Sequence, residues 1–339
     1  MCRSADAPIK NDTEMARHKT SRPWFAAGGM QVNMAGMGLN TFIPVIFLVS
    51  HLAKEELRIF LTGLCCCYAS ALIVGCRSVY CILVVPTYMT SLLLCFQLNI
   101  SIWTVVLGVA LAIVKVNICM SVCLHRYAAH AAFKCGPITN IVMNVIGCLA
   151  NQGGPIWWAS QHRCHHKYCD LPRDPHSPIV SGTEAAFSFF EIHQAVEEEF
   201  APRHLESFSL RLLDTWSWFI VAMELMLSQH FLGPEGLFVA YTSTWICQSI
   251  TLWFNIANHP PENPKKCKAS DGKAALSSYY LPFHILDALY PLFAFFVAEG
   301  EHQHHHDNAG LAKRKPNDVA YWTFIAPLEQ LGLVWNVKK

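Results

Sequence analysis

Residues 101–130 read SIWTVVLGVALAIVKVNICMSVCLHRYAAH. The stretch 101–124 is apolar apart from interruptions at Lys115 and Asn117, and it is long enough for a bilayer-spanning helix, which needs about 20 residues. It opens directly onto His125-Arg-Tyr-Ala-Ala-His130. Two more clusters follow, His162-Arg-Cys-His165-His166 and His302-Gln-His-His305-His306, each beside a further apolar stretch. Neutral imidazole is the commonest protein metal ligand and suits iron, zinc, copper and nickel. Regularly spaced imidazoles at the ends of membrane-length segments point to a metal site at a bilayer surface.

The composition agrees. Of 339 residues 53% are hydrophobic and 14% charged, against about 25% charged in an average soluble chain. An all-α integral membrane protein is the expectation. The net charge of +1 implies no global electrostatic partner, and without a basic stripe or a known motif nucleic-acid binding is excluded. Fifteen cysteines is an odd number, and several lie in apolar runs, among them Cys65-Cys66-Cys67, Cys119 and Cys123. They read as reduced thiols acting as small hydrophobes.

Three regions emerge: a polar, basic tail (1–23), apolar membrane segments (24–100), and a core (101–339) carrying the histidine clusters. Apolar runs at 36–52 and 60–76 are marginal as spans. Those at 79–98, 101–124, 212–232 and 236–257 are long enough, with Gly233-Pro234 as the turn between the last two. Four core spans, possibly six, are predicted. Residues 136–150 suit an interfacial or buried segment, and 281–298, broken by Pro282, His284, Asp287 and Pro291, an extramembrane part.

Two spans separate the second cluster from the third and none separates the first from the second, so all three emerge on one side. Lysines and arginines in the tail, at 265–268 and at Lys313-Arg314-Lys315 make that side cytosolic by the positive-inside bias.

His162, His165 and His166 are spaced i, i+3, i+4 and share one helical face. His302, His305 and His306 repeat the spacing, while His304 falls outside it. His125 and His130, five apart, would stand about 140° apart on an ideal α-helix. A fraying helix end, or one ligand for each of two metals, fits them better. Asn255 and His259 form an i, i+4 pair at the end of the last span, stopped by Pro260-Pro261. Nine imidazoles are too many for one zinc but enough for two metals with open positions. Iron brings oxygen chemistry, and a site above apolar helices suits oxidation of a lipid tail.

These residues resemble the membrane fatty acid desaturase family, and within it the stearoyl-CoA (acyl-CoA) Δ9 desaturase-like branch. The resemblance rests on HRYAAH, HRCHHKYCD and HQHHHDN in that order, on Gly153-Gly154-Pro155-Ile156-Trp157-Trp158, Asp174-Pro175-His176-Ser177-Pro178 and Asn255-Ile-Ala-Asn-His259, and on the ending Leu331-Gly332-Leu333-Val334-Trp335. It covers about 110–339. It implies transmembrane helices under a cytosolic helical cap, and two iron ions held by His125, His130, His162, His165, His166, His259, His302, His305 and His306, with Asn255 holding a water. The implied reaction removes two hydrogens from adjacent methylenes of an acyl-CoA or acyl-lipid, inserting a cis double bond at Δ9 by default while O2 is reduced to water. Trp157 and Trp158 are candidates for walling the acyl chain, and Asp174 and His176 for orienting ligand imidazoles. The chain lacks the His-Pro-Gly-Gly motif of a fused cytochrome b5, so a separate cytochrome b5 or ferredoxin is implied as electron donor. The endoplasmic reticulum membrane is the expected location. A di-iron lipid hydroxylase is the near alternative. A histidine-rich membrane metal transporter, which would line its spans with ionisable residues, is the distant one.

Overall fold

A computed structural model describes residues 29–73, 80–84, 86–88, 90–91, 100–175, 177, 196, 199–258, 296–297, 299 and 302–339. The polar tail, most of the run 79–98, His176, His259 and most of 281–298 lie outside the described residues. Of Asn255 only the backbone, within a helix, is described.

The described chain is helical apart from one short two-stranded ladder. Helix α1 (Gly29–Val49) and α2 (Lys54–Ile73) occupy the two runs read as marginal. Glu56 starts α2 by accepting the Ala53 N–H at 2.7 Å, as a first-turn carboxylate does. Helix α3 (Ile102–Lys115) is capped by Ser101, whose side chain accepts from Trp103 N. It runs without a break into a π-helical segment, Val116–Ala129. Helices α4 (Pro137–Cys148) and α5 (Pro155–Tyr168) both place proline in the first turn, where its missing N–H costs nothing. Helices α6 (Phe208–Thr215) and α7 (Ser217–Asn258) follow, then α8 (His302–Asp307) and α9 (Ala326–Gln330).

One antiparallel ladder joins β1 (Lys134–Cys135) to β2 (Val334–Trp335), pairing Lys134 with Trp335 and Cys135 with Val334. It ties the end of the chain to the loop just beyond His130.

By length and apolarity two described helices qualify to cross a membrane: α2, and the 28-residue unit formed by α3 with the π segment. Helix α7 breaks where the sequence placed a turn. Gly233 adopts φ 66° and ψ −158°, a conformation open to glycine, and Pro234 begins the next stretch. The halves on either side fold back on each other. Lys115 Nζ donates to Glu224 Oε2 at 2.7 Å and to Thr244 Oγ1 at 2.6 Å, although 20 residues of straight helix would span about 30 Å. Lys115 and His230 are the ionisable residues in the spans that a transport path would have used; Lys115 is buried in an ion pair and His230 is exposed.

Two apolar clusters hold these elements. One gathers α1, α2 and α7 around Leu48, Phe60, Val221, Leu225 and Tyr241, with Tyr88 stacked on Trp245 at 3.6 Å. The other surrounds the π segment and joins Leu124, Phe133, Met143, Ile156, Leu210, Tyr321, Ile325 and Val334. This second cluster positions the histidines.

Candidate metal centre

The π segment resolves the awkward five-residue spacing of the first cluster. Hydrogen bonds from i to i+5 bring residues five apart roughly into register along the helix. His130 N donates to His125 O at 3.2 Å, closing one such turn between the two ligand candidates. Their rings lie 5.1 Å apart. A regular α-helix would have turned them apart.

The second cluster rides on α5, and the glycines before it explain its placement. Asp214, buried at the end of α6, accepts from Ile156 N at 2.7 Å and Trp157 N at 3.0 Å. Its carboxylate therefore caps the free N–H groups of α5 from across the fold. A Cβ on Gly154 would fall 2.2 Å from Asp214 Oδ1, and Gly153, at φ 91°, packs its backbone under the Trp157 ring. The Gly-Gly-Pro sequence is thus what lets α5 begin against Asp214.

The third cluster rides on α8. Together the clusters bring the ligand atoms of His125, His130, His162, His166 and His305 within 4.8 Å of one another. Neighbouring Nε2 atoms are 2.9 Å apart for His125 and His305, 2.9 Å for His305 and His166, 3.0 Å for His166 and His162, and 3.0 Å for His162 and His130. An imidazole Nε2 has one in-plane valence, either a proton or a lone pair. His305, His166 and His162 are each approached by two other Nε2 atoms, so hydrogen bonding among these rings cannot satisfy them all. One cation facing five lone pairs can, and the chemistry of this donor set fits a metal ion.

Burial, reinforced by neighbouring imidazoles and, for His305, by Arg314, holds His130, His162, His166 and His305 well below the ordinary histidine range. The rings are neutral at physiological pH, as ligands must be.

A second group lies alongside. His165, Cys169 and His306 bring their ligand atoms within 4.8 Å of one another, and His302 Nε2 lies 3.2 Å from His306 Nε2. Each helical cluster therefore divides: His162 and His166 face one group and His165 the other, while His305 and His306 separate in the same way. His304 is exposed and contacts Asn308.

Buried carboxylates set the ring orientations. Asp174 Oδ2 accepts from His165 Nδ1 at 2.8 Å and from Asp170 N at 2.9 Å. Glu299 Oε2 lies 3.1 Å from His125 Nδ1, and Glu299 is itself bonded by Ser121 Oγ and Arg314 Nη1. Burial alone would raise the Glu299 carboxyl, but Arg314 and His125 outweigh it and hold it well below the usual carboxylate range. Burial lowers the Arg314 guanidinium to about 10 against the opposing pull of Glu299. Asp318 completes the frame, taking Arg126 Nη1 at 2.7 Å and Arg314 N at 2.9 Å.

Trp158 lies against the ligand rings, stacked on His162 at 5.0 Å and tilted to His125 at 5.8 Å. Its Nε1 donates to Gln152 Oε1 at 2.9 Å, and Gln152 Nε2 donates to Thr251 Oγ1 at 2.8 Å. Trp157 is buried, its ring packed against Gly153.

Glu299, Arg314, Cys169 and Asp214 do not figure among the sites read from the sequence. A carboxylate three residues before the third cluster was the one available hint, and it marks Glu299.

No protein-family model matches the chain. Several curated relatives are fatty acid desaturases. A hex-5-enoyl-[acyl-carrier protein] acetylenase of Moorena producens is 51% identical over 59 residues, 17% of this chain and 18% of the relative. A chloroplastic palmitoyl-monogalactosyldiacylglycerol delta-7 desaturase of Arabidopsis thaliana is 38% identical over 96 residues, 28% of this chain and 25% of the relative. A delta-9 desaturase-like 2 protein of the same plant is 42% identical over 72 residues, 21% and 24%. The matched stretches thus span a quarter or less of each relative.

Proposed function

We propose that this chain is an O2-dependent fatty acyl desaturase that inserts a cis double bond, Δ9 by default, into an acyl-CoA or acyl-lipid. The observation that carries the reading is the convergence of five imidazole ligand atoms within 4.8 Å at the end of a 28-residue apolar helix. The similarity over short stretches to an acyl-carrier-protein acetylenase at 51% identity and to a desaturase and a desaturase-like protein at 38% and 42% supports an acyl substrate.

The ligand set proposed is the nine histidines His125, His130, His162, His165, His166, His259, His302, His305 and His306, with Asn255 acting through a water. Two bound irons would supply the oxidising power that an unactivated C–H bond demands and no side chain has. The chain's own residues do the rest. Buried neutral imidazoles present lone pairs, Glu299 and Asp174 fix the ring orientations, and Trp157 and Trp158 flank the acyl chain. The two electrons come from a separate cytochrome b5 or ferredoxin. Four or more helices cross the endoplasmic reticulum membrane, with the site facing the cytosol.

The test is the fatty acid profile, with double-bond location, of yeast that lacks its own Δ9 desaturase and expresses this chain, with His305→Ala in parallel. A new monounsaturated acid that the variant fails to make is expected. A hydroxylated acid in its place would move the assignment to a di-iron hydroxylase. Iron-loaded, membrane-inserted protein that alters no acyl chain would sink both.

A further inference from the structure

A basic, aromatic surface connects directly to His125. Lys338 N donates to Ala132 O at 3.0 Å, and Lys338 O accepts from Ala312 N at 2.8 Å. These bonds fasten the last residues just beyond the π segment, at the end remote from Ser101 and the apolar span. From Lys313 onward the charges that reach the surface are Lys313, Lys315, Lys338 and Lys339 against Glu329, which pairs with Lys339 at 3.0 Å. Arg314 and Asp318 are buried. Lys313 Nζ sits 4.6 Å from the Trp322 ring and 5.7 Å from the Tyr321 ring, and Lys339 Nζ lies 6.0 Å from Tyr321. Cations and rings therefore form one patch. Trp322 is 53% exposed, yet its Nε1 donates to Pro316 O at 2.8 Å, which fixes the indole in place. Tryptophan is among the residues that most often anchor a protein interface.

The link from this patch to the ligand rings is short. Lys313 precedes Arg314 in the chain, and Arg314 Nη2 lies 3.5 Å from both ring nitrogens of His125. Arg314 Nη1 bonds Glu299, the partner of His125 Nδ1. A second arm runs from the aromatic pair: Tyr321 N donates to Asp318 Oδ1 at 3.0 Å, and Asp318 Oδ2 takes Arg314 N at 2.9 Å. One buried residue, Arg314, thus stands between the surface lysine and a ligand ring.

We infer that the patch of Lys313, Tyr321, Trp322, Lys338 and Lys339 docks a small acidic one-electron carrier, whose electron enters through Arg314 and His125. The inference rests on the reading of the chain as a desaturase, which needs an outside donor. The lysine excess suits an acidic partner, because complementary charge steers encounter and sets orientation. A compact patch also suits the small, short-lived interfaces of electron-transfer partners. Each reduced carrier that docks is oxidised by one electron, so two dockings serve one double bond. Those two electrons, two protons from water and the two hydrogens taken from the acyl chain reduce O2 to two waters.

The test uses the whole chain in phosphatidylcholine nanodiscs, with the acidic haem domain of a cytochrome b5 and an acidic ferredoxin as separate probes. Wild type is expected to bind at least one of them, with an affinity that falls as salt rises. Lys313→Glu/Lys338→Glu/Lys339→Glu should weaken that binding about tenfold or more and slow carrier-driven reduction of the centre to match. Its iron content and its reduction by dithionite should stay as in wild type. The corresponding triple arginine variant, which keeps the charge, should bind like wild type. Binding unchanged in the triple glutamate variant, binding indifferent to salt, or a wild type that binds neither probe would each overturn the inference. The proposed function survives those outcomes if dithionite-reduced protein still desaturates in a single turnover. Tryptophan fluorescence quenched by brominated phospholipid in wild type but not in Trp322→Phe would give the patch to the lipid surface and overturn the inference too. Iron-loaded protein that alters no acyl chain with dithionite or either carrier would overturn both.

Discussion

His125 and Glu299 meet Nδ1 to Oε2 at 3.1 Å, both buried, and Arg314 bonds the same carboxylate oxygen. The contact fixes the tautomer: the proton sits on Nδ1, and Nε2 keeps its lone pair for the group it faces. Glu299→Ala frees that ring and leaves the Arg314 guanidinium buried without its partner. Losing an orienting carboxylate typically costs 10–100-fold in metal affinity, and a stranded buried charge costs about 3–5 kcal/mol of stability. The double variant Glu299→Ala/Arg314→Met should recover most of the stability and none of the metal affinity. Thermal melts and iron content, measured on both variants, separate the two roles. Equal iron content in Glu299→Ala and wild type would refute the orienting role.

Asp214 and Ile156 define how firmly the second cluster is held. One carboxylate oxygen takes two N–H groups at the start of α5, six residues upstream of His162. Replacing an N-terminal cap with alanine costs about 1–2 kcal/mol. Asp214→Ala should therefore lower the melting temperature and loosen metal binding together, while Asp214→Asn keeps an acceptor and most of both. An Asp214→Ala protein that melts like wild type would show that α5 is held by its packing alone.

Much of this site was legible because helical periodicity is local. HxxHH places three imidazoles on one helical face wherever the helix goes, and Gly233-Pro234 announces its own turn. The first cluster was harder to place. A spacing of five from His125 to His130 looks wrong for an α-helix, and the π segment that accommodates it, buried along nearly its whole length, has no signature in any residue type. The partners of the ligands were less legible still. Nothing in the sequence ties Glu299 to His125, 174 positions earlier, or Asp214 to Gly154, because those contacts come from chain segments folding against each other. Cys169 was read as a small hydrophobe, which matches its burial, while its nearness to two imidazoles could only be seen in three dimensions.

Lys115 and Glu224 give a test of the helical bundle apart from the metal. The pair is held at 2.7 Å with Thr244 as a further acceptor. Removing one member of a buried pair is strongly destabilising, while replacing both with apolar residues of similar volume is often neutral or better. Glu224→Leu should lose about 3 kcal/mol, and Lys115→Met/Glu224→Leu should regain it, as read from detergent or nanodisc melts. If the double variant is no better than the single one, the pair is not the unit that joins α3 to the α7 hairpin.

The buried imidazoles carry a pH signature of the metal-free protein. Burial, and then neighbouring charge, holds His130, His162, His166 and His305 well below the ordinary histidine range. In the unfolded chain the same groups take up protons near pH ~6.5. Below that pH the unfolded state binds more protons than the fold, so stability rises with pH. The metal-free protein should therefore melt at a lower temperature at pH 5 than at pH 7.5, and the slope should shrink when His162→Ala and His305→Ala remove two of the four groups. Iron bound at the proposed centre should raise the melting temperature at neutral pH, because it would bind only the folded state. That gain should vanish over the same acid range, as protons compete for the lone pairs. A pH slope unchanged in the double variant would show that these imidazoles do not titrate with unfolding, and the neutral, lone-pair-presenting cluster would have to be given up.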